Sequence, residues 1–187
     1  MSERLANPAP LGLMGFGMTT VLLNIHNAGF FGNDIMILAM GIFYGGLAQV
    51  FAGIMEFRRG NTFGTTAFTS YGLFWLSLVF IFLGARFGWF DYDPVFLGWY
   101  LFMWGVFTFY MWFASWKTNV ALQFVFLSLT VLFWLLALGH WFPMPGWFTV
   151  MTGLEGIICG TSAIYLAAAE VINGSRGRTV LPVCPRG

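Results

Sequence analysis

The chain is expected to fold as an all-α integral membrane protein with six transmembrane helices and both termini in the cytoplasm. Three observations lead there. Hydrophobic residues make up 59% of the 187 positions and charged residues only 8%, far below the roughly 25% charge of a soluble domain, and the mean hydropathy is +0.80. Six apolar stretches each approach the ~20 residues that cross a bilayer core. The basic residues gather in alternate connectors, as the preference of lysine and arginine for the cytoplasmic side requires.

The spans are placed near Leu11–Phe31, Ile35–Phe57, Phe63–Ala85, Val95–Trp116, Asn119–Gly139 and Trp147–Asn173. Pro10 suits the start of the first, because an N–H at the first helical position has no intrahelical partner to lose. Gly12, Gly15 and Gly17 would each weaken an isolated helix by about 1 kcal/mol relative to alanine. Their presence implies close approach by another helix or open space beside this one. Turns are read at Gly32-Asn33-Asp34, Arg58-Arg59-Gly60-Asn61, Asp91-Tyr92-Asp93-Pro94, Lys117-Thr118-Asn119 and Pro143-Met144-Pro145-Gly146. These connectors leave no room for a soluble domain, so the organisation is a short segment 1–10, a membrane domain 11–173 and a polar tail 174–187. With the N-terminus inside, Arg4, Arg58, Arg59, Lys117, Arg176, Arg178 and Arg186 are cytoplasmic and only Arg86 lies outside. Trp89, Phe90, Tyr92, Trp99, Trp141, Phe142 and Trp147 form an aromatic belt at the outer ends. Three helices in each half would permit an inverted repeat, but no internal sequence match supports one.

The near-neutral net charge of +1 offers no basic cluster for nucleic acid. Cys159 sits within a span and Cys184 in the tail, and both are read as free thiols. No cleavable leader is apparent. No cofactor or metal is expected.

Polar residues inside a membrane face a bundle interior or a wet cavity, since lipid cannot hydrogen-bond them. On the first helix Phe16, Thr20 and Asn24 share one side. Gln49 and Glu56 lie on the second. Asn61 precedes the third, where Thr62, Thr66, Thr69 and Ser70 form a hydroxyl stripe beside Tyr71. The fifth carries Gln123, Ser128 and Thr130, and the sixth Glu155. The plainer reading of each hydroxyl is helix glue, bonded to the carbonyl a turn earlier. Glu155 lies about 13 Å into the last helix at 1.5 Å per residue. Desolvation favours the neutral form of a carboxyl at such depth, so this residue is a candidate proton carrier, with a plain interhelical hydrogen bond as the alternative. Glu56 and Glu170, near the cytoplasmic ends, read as solvated or snorkelling. No lysine or arginine lies mid-span, which disfavours a multiply charged substrate and suits a small, partly apolar anion held by hydroxyls, amides and helix N-termini. The small-residue ridges Gly41-x-x-x-Gly45, continued by Gly46, Ala48, Ala52 and Gly53, and Gly156-x-x-x-Gly160 suit helix packing within one chain or between copies.

Asn7-Pro8-Ala9-Pro10-Leu11-Gly12-Leu13 resembles the signature of the acetate uptake transporter family, which includes bacterial succinate–acetate permeases and yeast ammonia/acetate export proteins. Gly60-Asn61-Thr62-Phe63-Gly64, Thr69-Ser70-Tyr71-Gly72, Gln123-Phe124-Val125-Phe126 and Ser128-Leu129-Thr130 extend the resemblance over essentially the whole chain. It implies a homo-hexamer of six-helix protomers in the lipid bilayer of the inner membrane, each with its own path for acetate and, in some members, succinate. It also implies a hydrophobic constriction of Phe16, Tyr71 and Leu129. The residues themselves point to Phe16 and Tyr71; Leu129 is singled out by the resemblance alone. Transport by a channel or by proton coupling both remain open. From other classes, a haem- or quinone-binding redox subunit would need His26 and His140 as axial ligands, and a purely structural membrane oligomer fits composition equally well.

Overall fold

The computed structural model describes residues 5–32 and 35–186. The expected turn at Asn33-Asp34, and Arg4, lie outside the described residues. Helices account for most of the described residues, which contain no β-strand, only an isolated bridge between Asn119 and Pro185. Helix α1 is Ala9–Asn27. Helix α2 (Ile35–Ile42), a π-helical segment (Phe43–Ala48) and α3 (Gln49–Arg58) follow one another as a single rod. Next come α4 (Thr62–Arg86), α5 (Pro94–Ala114) with a 3-10 turn at Ser115–Lys117, α6 (Val120–Trp141) and α7 (Gly146–Arg176). Five rods, Ile35–Arg58, Thr62–Arg86, Pro94–Lys117, Val120–Trp141 and Gly146–Arg176, are long and apolar enough to cross a membrane. With large hydrophobics such as Phe57, Phe96 and Met103 exposed on them, they describe a multi-pass membrane protein.

The ends of the helices follow from local chemistry. Asn61, Asp93 and Asn119 each sit in extended backbone and accept a hydrogen bond from the first turn of α4, α5 and α6. Helix α1 stops four residues before the expected Phe31, because Gly29 takes a positive φ of 82° that ends the helical path. Helix α7 runs three residues past Asn173 and ends at Gly177, again left-handed.

Helix α1 packs chiefly along α7 and also meets the π segment, α3 and α4; α5 pairs with α6. The glycines make these approaches possible. A side chain on Gly17 would strike the Gly160 carbonyl at 2.7 Å, and one on Gly160 the Gly17 carbonyl at 2.7 Å. Gly12 lies against Phe68, and Gly15 against the Tyr44 carbonyl. All three glycines of α1 are thus packed, and none borders open space. The ridge on the second rod is consumed in the same way, with Gly41 against Val79, Gly45 against Thr19 and Gly53 against Thr69. Both ridges therefore pack helices within one chain.

One expectation near the Arg58–Arg59 turn is corrected. Glu56 is not solvated; it is fully buried. It accepts from the Asn61 amide at 2.9 Å and pairs with Arg59 at 3.6 Å. Arg59 also donates to Asn7 Oδ1 at 2.7 Å, and the Asn7 amide donates to Glu170 at 2.7 Å. A buried carboxyl is stable only with such partners, and the sequence alone hid them because they come from four separate elements. The polar tail is also engaged. It straps back over the bundle end: Val120 and Ala121 donate to the Cys184 and Val183 carbonyls, Arg186 donates to the Thr118 carbonyl, and Asn173 accepts from Val180 and Leu181. The strap satisfies N–H groups at the start of α6 that have no intrahelical partner. Cys159 is buried and Cys184 exposed, both as free thiols.

Candidate functional site

Three helix faces converge on one apolar cavity. Helix α6 contributes Leu122, Val125, Phe126 and Leu129, spaced to share one side of a helix. Helix α4 contributes Phe63, Ala67, Phe68 and Tyr71, and α1 contributes Leu13 and Phe16. Phe16, Tyr71 and Leu129 are all at most 5% exposed. The free space is only about 30 Å³, about one water's share of the liquid.

Tyr71 is held on every side. Its ring lies 6.0 Å from Phe16, 5.3 Å from Phe107 edge-on, and 6.2 Å from both Trp104 and Phe126. Its hydroxyl donates to Thr108 Oγ1 at 2.9 Å, and Thr108 donates to the Trp104 carbonyl at 2.7 Å. The ring orientation is therefore fixed from α5. Thr108, fully buried, was not singled out from the sequence. The available signal was a hydroxyl isolated in an aromatic span, one that could serve a partner on another helix.

Polar groups flank this ring of hydrophobes. Thr20 and Asn24 continue the Phe16 side of α1 at one-turn steps, buried at 3% and 1%. Asn24 donates to the Thr20 carbonyl at 2.9 Å and accepts from Asn27 at 3.1 Å. Thr20 Oγ1 has no hydrogen-bond partner. On the other side of Phe16, near Gly15, Gln49 lines the cavity and leaves its Oε1 buried without a partner. The π segment immediately before Gln49 widens the helical path there, a feature that recurs at functional sites. Buried polar atoms left unpaired on both sides of an apolar ring are places where water or a passing solute can bond.

The other candidates are scattered. Asn61 caps α4 and donates to Glu56. Thr62 is exposed, Thr66 is partly exposed, and neither lines the cavity. Thr69 packs on Gly53, and Ser70 faces a groove toward α5 with Phe96 and Phe107. The hydroxyl stripe of α4 thus lies off the face that carries Tyr71. Gln123 reaches back to the Trp116 carbonyl at 3.3 Å. Thr130 bonds the Phe126 carbonyl a turn earlier, the glue geometry. Ser128, next to Leu129, donates to Glu155 Oε1 at 2.6 Å, while Glu155 Oε2 is buried and unpartnered. Glu155 thus bridges α7 to α6 directly behind the Leu129 turn. His26 and His140 line a separate, larger cavity at the opposite end of the bundle from Arg58.

Known proteins resemble the chain over nearly its whole length. The chain is 60% identical over 185 residues to the succinate-acetate/proton symporter SatP of Escherichia coli K12, covering 97% of each protein. It is 33% identical over 204 residues to acetate permease A of Emericella nidulans, covering 97% of this chain and 67% of that one. Ammonia transport outward protein 2 of Saccharomyces cerevisiae matches at 37% over 181 residues, 90% of this chain and 62% of that one. A solved structure described as the bacterial acetate channel SatP superposes with a TM-score of 0.93 at 60% identity, over 96% of this chain and 99% of that one. These relatives are transporters and a channel, not enzymes, and none is a redox subunit. The family model of the GPR1/FUN34/yaaH proteins matches residues 1–185, and the chain belongs to that family.

Proposed function

We propose that this protein carries acetate, and with it succinate or other short carboxylates, across the inner membrane along a path inside each protomer. The carrying observation is the cavity of about 30 Å³ lined by Phe16, Tyr71 and Leu129, with the unpartnered Gln49 carbonyl also in its wall and the unpartnered Thr20 hydroxyl one turn along α1 from Phe16. A narrow hydrophobic ring gates by excluding water, and weak polar stations beside it let a solute arrive and leave. The names of the similar proteins, an acetate permease, a succinate-acetate symporter and an acetate channel, support the same reading.

In this reading α1 is the sixth span. Its glycines and threonines lower its hydropathy, yet its burial against α7 keeps those groups off lipid. The Arg58–Arg59 turn, segment 1–10 and tail 174–187 are cytoplasmic, and the exposed apolar faces pack six copies into a homo-hexamer. Thr20, Asn24 and Gln49 line the path. Asn61, Thr62, Thr66, Thr69, Ser70, Gln123, Ser128 and Thr130 support its walls and inner mouth, and Glu155 is the group that would take up a proton.

The test is uptake of labelled acetate by liposomes containing the purified protein. Entry above that of empty liposomes is expected; equal entry sinks the reading. Leu129→Ala should admit longer monocarboxylates such as butyrate, with flux rising about tenfold, and an unchanged selectivity removes Leu129 from the gate. Repeating uptake with and without a pH gradient separates the two modes. Gradient-driven accumulation that Glu155→Gln abolishes identifies proton coupling, and gradient-independent equilibration identifies a channel.

A further inference from the structure

The end of the bundle away from Arg58 holds a cavity of about 460 Å³, far larger than the space at the Phe16 ring. Its wall includes His26 and Asn27 from α1, Arg86 from α4, Tyr92 from the turn after α4, and His140 from α6. Four separate elements thus bring a guanidinium, two imidazoles, an amide and a phenol to one chamber. Arg86 forms no ion pair among the described residues, in contrast to Arg59. The nearest acids along the chain, Asp91 and Asp93, do not line the chamber, and Asp93 is engaged in capping α5. His26 donates from Nδ1 to the Phe31 carbonyl at 2.9 Å, which leaves Nε2 with no partner among the described residues. Asn27 donates to Asn24, which donates to the Thr20 carbonyl, so a continuous polar edge of α1 leads from this chamber to the Phe16 ring.

We propose that this chamber is a carboxylate-capture site, with Arg86 as the fixed cation and His26 and His140 as its second set of contacts. This inference rests on the transport reading above and assigns its entry station. Arg86 is exposed at the mouth of the cavity; positive charge lining a cleft concentrates small anions, and a guanidinium matches the two oxygens of a carboxylate. The chamber's volume takes a C4 dicarboxylate as well as acetate, one carboxylate on Arg86 and the other toward the histidines. Selection between mono- and dicarboxylates would then be divided, with capture here and size exclusion at Leu129.

The experiment titrates sodium acetate and sodium succinate into the detergent-solubilised protein, with binding followed by saturation-transfer NMR of the ligand protons, and runs liposome uptake in parallel. Arg86→Gln should weaken binding of both about tenfold, the loss of one charge-assisted contact, and raise the half-saturating concentration for uptake without lowering maximal flux. Arg86→Lys should keep most of the affinity, and His140→Gln should weaken succinate more than acetate. Binding that is unchanged in Arg86→Gln and in His140→Gln overturns the proposal, even if wild-type liposomes take up acetate. Arg86-dependent binding in a protein that leaves liposomes impermeable would uphold the site and discard the transport reading instead.

Discussion

The two ends of the bundle are built on opposite principles. At the Arg58–Arg59 end every charge near the core is engaged: Arg59 with Glu56 and Asn7, Glu170 with Asn7, and the strap 177–186 over the start of α6. At the other end Arg86 and two histidines border a cavity of about 460 Å³ with no ion pair among the described residues. A paired buried charge fixes how helices meet, because separating it leaves an uncompensated group. An unpaired, exposed one such as Arg86 keeps its interaction capacity for a solute. One end is thus spent on holding α1, α3, α4 and α7 together, and the other is kept available.

That contrast can be broken by substitution. Glu56→Ala, which strands Arg59 and the Asn61 amide, should lower stability by about 3 kcal/mol, seen as an earlier thermal transition of the purified protein; a loss under 1 kcal/mol would show the network to be incidental. In the middle of the molecule, Thr108→Val leaves the Tyr71 hydroxyl without its acceptor, a loss of about 1–2 kcal/mol. Its check is the same melting experiment, together with altered acetate flux from a freed ring. Arg59→Gln, which leaves the fully buried Glu56 carboxyl with only the Asn61 amide, should cost about 1–2 kcal/mol. Arg86→Gln should fall within about 0.5 kcal/mol of wild type. If Arg86→Gln destabilises as much as Arg59→Gln, the two ends do not differ as described. Removing residues 178–187 is the finest probe: faster hydrogen exchange at Val120 and Ala121 is expected, with little change in melting.

Much of this architecture was legible in the chain. The apolar runs located the helices to within a few residues, since a helix is the one local structure that satisfies its own backbone in lipid. The caps Asn61, Asp93 and Asn119 were readable as turn residues, and the signature around Asn7 to Leu13 identified the family that the comparisons bear out. Phe16, Thr20 and Asn24 follow from simple helical spacing on α1. The α4 stripe was misleading for the same reason it was noticed. Thr62, Thr66, Thr69 and Ser70 cluster in sequence, but Tyr71 points into the cavity shared with α1 and α6 and anchors on Thr108, whereas Ser70 lines a separate groove beside α5.

By itself the sequence determined the class of molecule, its helices and the side chains available to a path, because hydropathy and helical period are local properties of the chain. Only the tertiary structure decided which polar groups are spent and which are left open. Glu56 and Asn7 are consumed by partners 3 to 163 positions away, and Thr108 orients Tyr71 across 37. Arg86 meets His26 and His140 only because three helix ends close on one chamber. Burial and pairing depend on which helix faces meet, and no stretch of sequence carries that information alone.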